Sequence, residues 1–137
     1  MLKAAAKSIL IVVWIALFYL PVFLCHRFGY HLQRDRMVRL CHAGLLYLIG
    51  IKVNVVSEPS SQRPLLLVSN HLSYLDIPIL ASQFPVCFTP KAEIAKWPVI
   101  GSICRITGSL FITRKTSAIE GVSKELVSAL SKGTPVC

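Results

Sequence analysis

Acidic residues are scarce in this chain: six Asp and Glu stand among 137 positions, against fifteen Lys and Arg. The resulting net charge of +9 implies an anionic partner, whether nucleic acid, an anionic lipid surface or an anionic substrate. Charge of either sign is sparse too, at 15 % of residues, while 54 % are hydrophobic. That balance excludes a disordered chain, and it is more apolar than an ordinary soluble domain, which implies contact with a membrane. Cys25, Cys41, Cys87, Cys104 and Cys137 include no C-x-x-C or other close pair, so no zinc or redox motif is present and no metal site is expected. Their number is odd, which excludes complete internal pairing and favours free thiols in a reducing setting. Residues 1–56 hold seven Lys or Arg and one acid, and residues 57–137 hold eight and five. Nucleic-acid binders seldom set long uncharged runs beside their basic residues, so lipid headgroups are the expected partner and nucleic acid is not.

The longest charge-free run is Ile9 to Cys25, ILIVVWIALFYLPVFLC, seventeen residues flanked by Lys3 and Lys7 before it and Arg27 after it. It lies near the lower end of the roughly 20 residues that span a bilayer. Pro21 is expected to kink or end a helix there. No small-x-small site follows Cys25, so the run reads as retained and not as a cleaved secretory signal. Positive charge on both flanks leaves two arrangements open, a spanning helix and one that enters a single leaflet and returns. From His31 to Ile49, Leu32, Met37, Leu40, Cys41, Gly44, Leu45 and Leu48 recur at helical spacing, with Arg34, Arg36 and Arg39 among them. A core helix with a solvated basic face has the same pattern; the neighbouring apolar run favours a membrane-surface role. Residues 1–50 are accordingly read as a membrane-associated helical segment.

After Gly50 the periodicity changes. Ile51 to Val56 alternates as a half-buried strand would, Ser57 to Pro64 is a turn-rich loop, and LLLVS at Leu65 to Ser69 reads as a buried strand. A helix is expected from Ile77 to about Gln83, a short strand at Val86 to Thr89, and helical pieces at Ala92 to Lys96 and Val99 to Ile106. A strand at Ser109 to Thr113 then leads to a helix over Ser117 to Lys132, with Ile119, Val122, Leu126, Ala129 and Leu130 on one face. Gly133 punctuates that helix, and Thr134 to Cys137 begins another strand. The expected fold is α/β, a mixed sheet with flanking helices over residues 51–137, behind the apolar N-terminal segment and incomplete at its C-terminal side.

The chemistry concentrates in NHLSYLD, Asn70 to Asp76. A histidine takes a proton at neutral pH, and does so best when a carboxylate holds one ring nitrogen so that the other faces the substrate. His71 and Asp76 form such a pair if the loop between them folds back. No serine or cysteine nucleophile is required, because the substrate's own hydroxyl is what the histidine would activate. Chance also supplies that spacing, and Asp76 before Ile77 and Pro78 reads equally as a helix N-cap. Arg114 beside Lys115 could be a solvated pair, Lys91 a surface lysine, and Gly101 an interruption of a helix. His26, His31 and His42 have no carboxylate at a telling spacing.

NHLSYLD, then KAEIAKWPVIG from Lys91 to Gly101, then GSLFITR from Gly108 to Arg114, stand in the order found in the glycerol-phosphate acyltransferase family, which this chain resembles from about Leu65 to Cys137. It looks most like the 1-acylglycerol-3-phosphate acyltransferases of phospholipid biosynthesis, which make phosphatidic acid. The resemblance implies His71 as general base and Asp76 as its orienting carboxylate. It also implies Arg114 and Lys91 at the acceptor's phosphate, the arginine through its planar donor fork and the lysine as a point charge, with Gly101 shaping the acceptor loop. It implies no bound cofactor, acyl-CoA or acyl carrier protein as donor, a lysophospholipid acceptor among membrane lipids, and an active site at the cytoplasmic face of a membrane. A lyso-ornithine lipid is an alternative acceptor within the same family. The family's Phe-Pro-Glu-Gly motif does not occur in this sequence, so the chain reads as the N-terminal part of such an enzyme, or as a truncated relative that binds membrane without turnover.

Overall fold

The computed structural model describes residues 2–57, 60, 62–113, 119–131, 133 and 135–137. Its elements are α1 (Leu2–Arg27), α2 (His31–Ile49), α3 (Asp76–Gln83), a 3-10 turn (Ala92–Lys96), α4 (Ile100–Ile106) and α5 (Ile119–Ser131). The described residues divide into two compact units, Met1–Val56 with His71–Pro85 and Ser57–Asn70 with Val86–Cys137.

In the first unit the charge-free run becomes the body of α1, which extends beyond it at both ends. Of the two effects expected of Pro21, a kink or an end, the helix does not end there but runs on to Arg27. Proline withholds one N–H from the ladder, and Val22 directly after it is among the most buried side chains, so packing holds the turn that the proline weakens. The chain reverses at Phe28 to Tyr30: the Tyr30 N–H reaches Cys25 O at 2.8 Å and the Gly29 N–H reaches His26 O at 3.3 Å. Gly29 takes the left-handed φ of 75° that this termination needs. Helix α2 ends in the same way at Gly50, with φ 83° and the Ile51 N–H on Leu46 O at 2.9 Å. α2 packs on both α1 and α3. The Trp14 Nε1–H donates to Cys41 O at 2.9 Å, and the indole lies where a side chain on Gly44 would stand. Leu46, Pro78 and Ala81 are buried in this unit.

The expected mixed sheet is not formed: among the described residues there is no strand, and the regular structure is five α-helices with one 3-10 turn. Where the sequence predicts strands in the second unit, the backbone makes isolated parallel bridges, Leu66 and Cys87 each with Val136 and Lys91 with Ile112. A ladder needs consecutive paired residues; backbone bonds do run between these segments, such as the Leu110 N–H on Phe88 O at 2.9 Å and the Ile112 N–H on Pro90 O at 3.0 Å, but they close bridges at isolated positions and no strand. Val68, in the run expected to be buried, is 90 % exposed. In the first unit, Ile51 to Val56 carries no bridge, and its first N–H is spent on closing α2. The helices fall where periodicity puts them, with α5 lying inside the expected span of 117–132.

Within the second unit Val136 is the most buried side chain, held by the Leu67 N–H on Val136 O at 2.8 Å and the Val136 N–H on Leu65 O at 3.1 Å. Cys87 and Ile106 are buried in the same unit. None of the five cysteines is in a disulfide.

Candidate active site

His71 and Asp76 belong to the first unit, in the loop that leads into α3. The His71 Nδ1 and Asp76 Oδ2 lie 2.9 Å apart. The same Oδ2 accepts the backbone N–H of Leu72 at 2.8 Å and of Ser73 at 2.9 Å. Three donors thus converge on one carboxylate oxygen. They hold the Asp76 carboxyl below its ordinary 3.8: the Ser73 backbone donor acts most strongly, burial opposes it, and His71 and the Leu72 donor add to the lowering. The carboxylate is ionised at neutral pH and can only accept, so the hydrogen between them belongs to His71 Nδ1. In the neutral form of such a ring, Nε2 is the nitrogen with the free lone pair. The imidazole is 61 % exposed and the carboxylate 25 %, so the ring is open to solvent while its partner is shielded.

Sequence alone leaves Asp76 either as an orienter or as a helix cap. It is the first residue of α3, and its oxygen reaches back into the loop to the N–H groups of Leu72 and Ser73. One residue escaped the motif reading. Ser73 Oγ accepts the Leu75 N–H at 3.2 Å, and Ser73 O accepts the Asp76 N–H at 3.1 Å. The signal was available in the Ser73-x-x-Asp76 spacing, which lets an acid three residues after a Ser bond that Ser's N–H.

Lys91 and Gly101 belong to the second unit. Lys91 precedes the 3-10 turn in extended conformation, and the Ala92 N–H donates to Ile112 O at 2.9 Å, so the lysine's backbone is tied to the GSLFITR segment. Its Nζ stands 3.3 Å from Glu93 Oε1, both side chains being exposed. Glu93 was also not singled out by sequence; its carboxyl lies below the ordinary value, chiefly through its own backbone N–H and then through Lys91. Gly101 is buried, and a Cβ there would stand 2.6 Å from Ala95 O and 2.7 Å from Ile94 O. The α4 helix rests on the 3-10 turn only because this residue has no side chain. Arg114 lies outside the described residues.

A sequence model of the Acyltransferase family matches residues 52–137. A lyso-ornithine lipid O-acyltransferase of Rhizobium meliloti (strain 1021) is 35 % identical over 88 residues, covering 64 % of this chain and 30 % of that protein. A 1-acyl-sn-glycerol-3-phosphate acyltransferase of Neisseria gonorrhoeae is 32 % identical over 107 residues, covering 76 % of this chain and 42 % of its own length. A protein of that same name from Saccharomyces cerevisiae (strain ATCC 204508 / S288c) is 28 % identical over 106 residues, 75 % of this chain and 33 % of the relative. The chain therefore spans less than half the length of these curated relatives. No solved structure matches significantly.

Proposed function

Because the chain belongs to the Acyltransferase family, we propose that it carries the base of an enzyme moving a fatty acyl group from acyl-CoA or acyl carrier protein to the free hydroxyl of a lysophospholipid. The observation that carries this reading is the 2.9 Å contact of His71 Nδ1 with an Asp76 oxygen that two backbone N–H groups already hold. With Nδ1 engaged, Nε2 takes the proton of the acceptor hydroxyl as its oxygen attacks the thioester carbonyl. The new C–O bond forms, the C–S bond breaks, and the imidazolium returns its proton to the departing sulfur. Asp76 steadies the imidazolium in between. Residues 51–137 supply this chemistry, in keeping with a family match that starts at residue 52, and residues 1–50 hold the site at the cytoplasmic face of a membrane.

The acceptor we favour is 1-acylglycerol-3-phosphate, giving phosphatidic acid, with Arg114 and Lys91 at the phosphate and Gly101 keeping α4 close to the 3-10 turn beside Lys91. A second reading, a lyso-ornithine lipid acceptor, is supported by the 35 % identity of the Rhizobium meliloti relative of that name. The test is acyl transfer from defined thioester donors to each acceptor. His71→Ala is expected to lower turnover by about 10² to 10⁴, the usual worth of a positioned base. Turnover equal to the parent's would overturn the role of His71. Product from the phosphate acceptor alone, with KM raised by Arg114→Ala, supports the first acceptor, and product from the lyso-ornithine lipid alone supports the second. A chain that binds vesicles and turns over neither acceptor would be the non-catalytic relative.

A further inference from the structure

We propose that Ser73 is a positioning residue for the His71 and Asp76 pair, its hydroxyl locking the turn whose backbone brings three donors onto one Asp76 oxygen. This rests on the reading of His71 as the base. The loop from Leu72 to Leu75 has little packing to hold its shape, since the Leu72 side chain is 83 % exposed and that of Tyr74 is 88 % exposed. Hydrogen bonds must therefore set its conformation, and Ser73 makes three of them. Its Oγ accepts the Leu75 N–H at 3.2 Å, its carbonyl accepts the Asp76 N–H at 3.1 Å, and its own N–H donates to Asp76 Oδ2 at 2.9 Å.

The first bond is a turn closed by a serine side chain onto the N–H two residues ahead. It selects, from the conformations open to an exposed loop, the one in which the N–H groups of Leu72 and Ser73 both face Asp76. Two lone pairs on a single oxygen receive three donors only when all three arrive from the correct directions. A small change in the turn removes at least one of them. The backbone bonds of Ser73 survive replacement of its side chain, whereas the Oγ bond does not. The hydroxyl is thus the element of the loop that a substitution can probe by itself.

The experiment uses the 137-residue chain in detergent micelles, with the imidazole nitrogens labelled and the tautomer of His71 read by NMR. The parent is expected to show the Nδ1–H tautomer at neutral pH. Ser73→Ala is expected to give a mixture of the two tautomers and to move the Asp76 titration up towards the ordinary carboxylate value, and Ser73→Thr, which keeps the hydroxyl, to restore both. In the acyl-transfer assay Ser73→Ala lowers kcat by about tenfold to a hundredfold with KM nearly unchanged, as misplacement of a catalytic group does, and Ser73→Thr recovers it. A Ser73→Ala chain with the parent's tautomer and the parent's Asp76 titration overturns the proposal. If Ser73→Ala loses helix content by circular dichroism, Ser73→Asn takes its place, because the Asn side-chain oxygen makes the same kind of turn. Retention of the Nδ1–H tautomer in that variant supports the proposal and its loss overturns it. Full turnover in His71→Ala would sink the base role while leaving the dependence of the tautomer on Ser73 standing, so the two failures are distinguishable.

Discussion

Asp76 gathers the N–H groups of its own loop and the imidazole of His71 onto one oxygen, and its ionisation state decides whether that gathering persists. Its carboxyl lies below the ordinary 3.8, so the folded loop binds the proton less readily than the unfolded chain does. The stabilisation is therefore complete above that ordinary value and is lost as pH falls through the lower folded value. In a titration from pH 6 to pH 2, the amide signals of Leu72 and Ser73 are expected to move together with the Asp76 carboxyl, with a midpoint below 3.8. A midpoint at or above that value would mean that the three donors are not in place in solution. Asp76→Asn keeps an oxygen for the two backbone donors but cannot balance an imidazolium, so turnover is expected to fall by about 10² or more while the helix content stays.

At the scale of elements, two glycines allow close approach and each yields a test. Gly101 lies against the carbonyls of Ile94 and Ala95, and these backbone oxygens have nowhere to go. Gly101→Ala is expected to cost about 1 to 3 kcal/mol, the usual penalty of overpacking, measured as a lower midpoint in denaturant. Gly44 lies against the six-membered ring of Trp14, whose indole is pinned by its hydrogen bond to Cys41 O. Gly44→Ala is expected to change the tryptophan fluorescence by displacing the ring from between α1 and α2; a spectrum identical to the parent's would show that the helices have room to spare. Helix periodicity and the glycine that ends α2 were legible because both are local, arising from residues within a turn of one another. The sheet was misread for the opposite reason. Apolar runs such as Leu65 to Ser69 carry no record of which backbone lies alongside, and here that backbone meets them at one bridge.

At the scale of the whole molecule, the dominant feature among the described residues is exposed apolar surface. α1 is long and apolar enough to cross a membrane, and Ile9, Val12 and Leu17 on it are each largely exposed. Exposure of that kind along a helix of this length is compatible with membrane association, and the concentration of Lys and Arg in residues 1–56 adds attraction to anionic headgroups. Removal of residues 1–30 is expected to lower binding to anionic vesicles by at least about tenfold, since both apolar area and basic charge are lost. Undiminished sedimentation with vesicles would place the attachment elsewhere in the chain.

What the sequence determined by itself was the set of local facts: an apolar helix, a second helix ended at Gly50, the helix after Asp76, and a His and an Asp near enough to meet. It also determined the family, through three motifs in order. It did not determine whether Asp76 caps α3 or orients His71, because that depends on which way the loop backbone turns between them. What the tertiary structure adds is the contact itself, two N–H groups and an imidazole on one oxygen. It likewise replaced the expected sheet with isolated bridges, because pairing is a property of two distant segments together and is written in neither one alone.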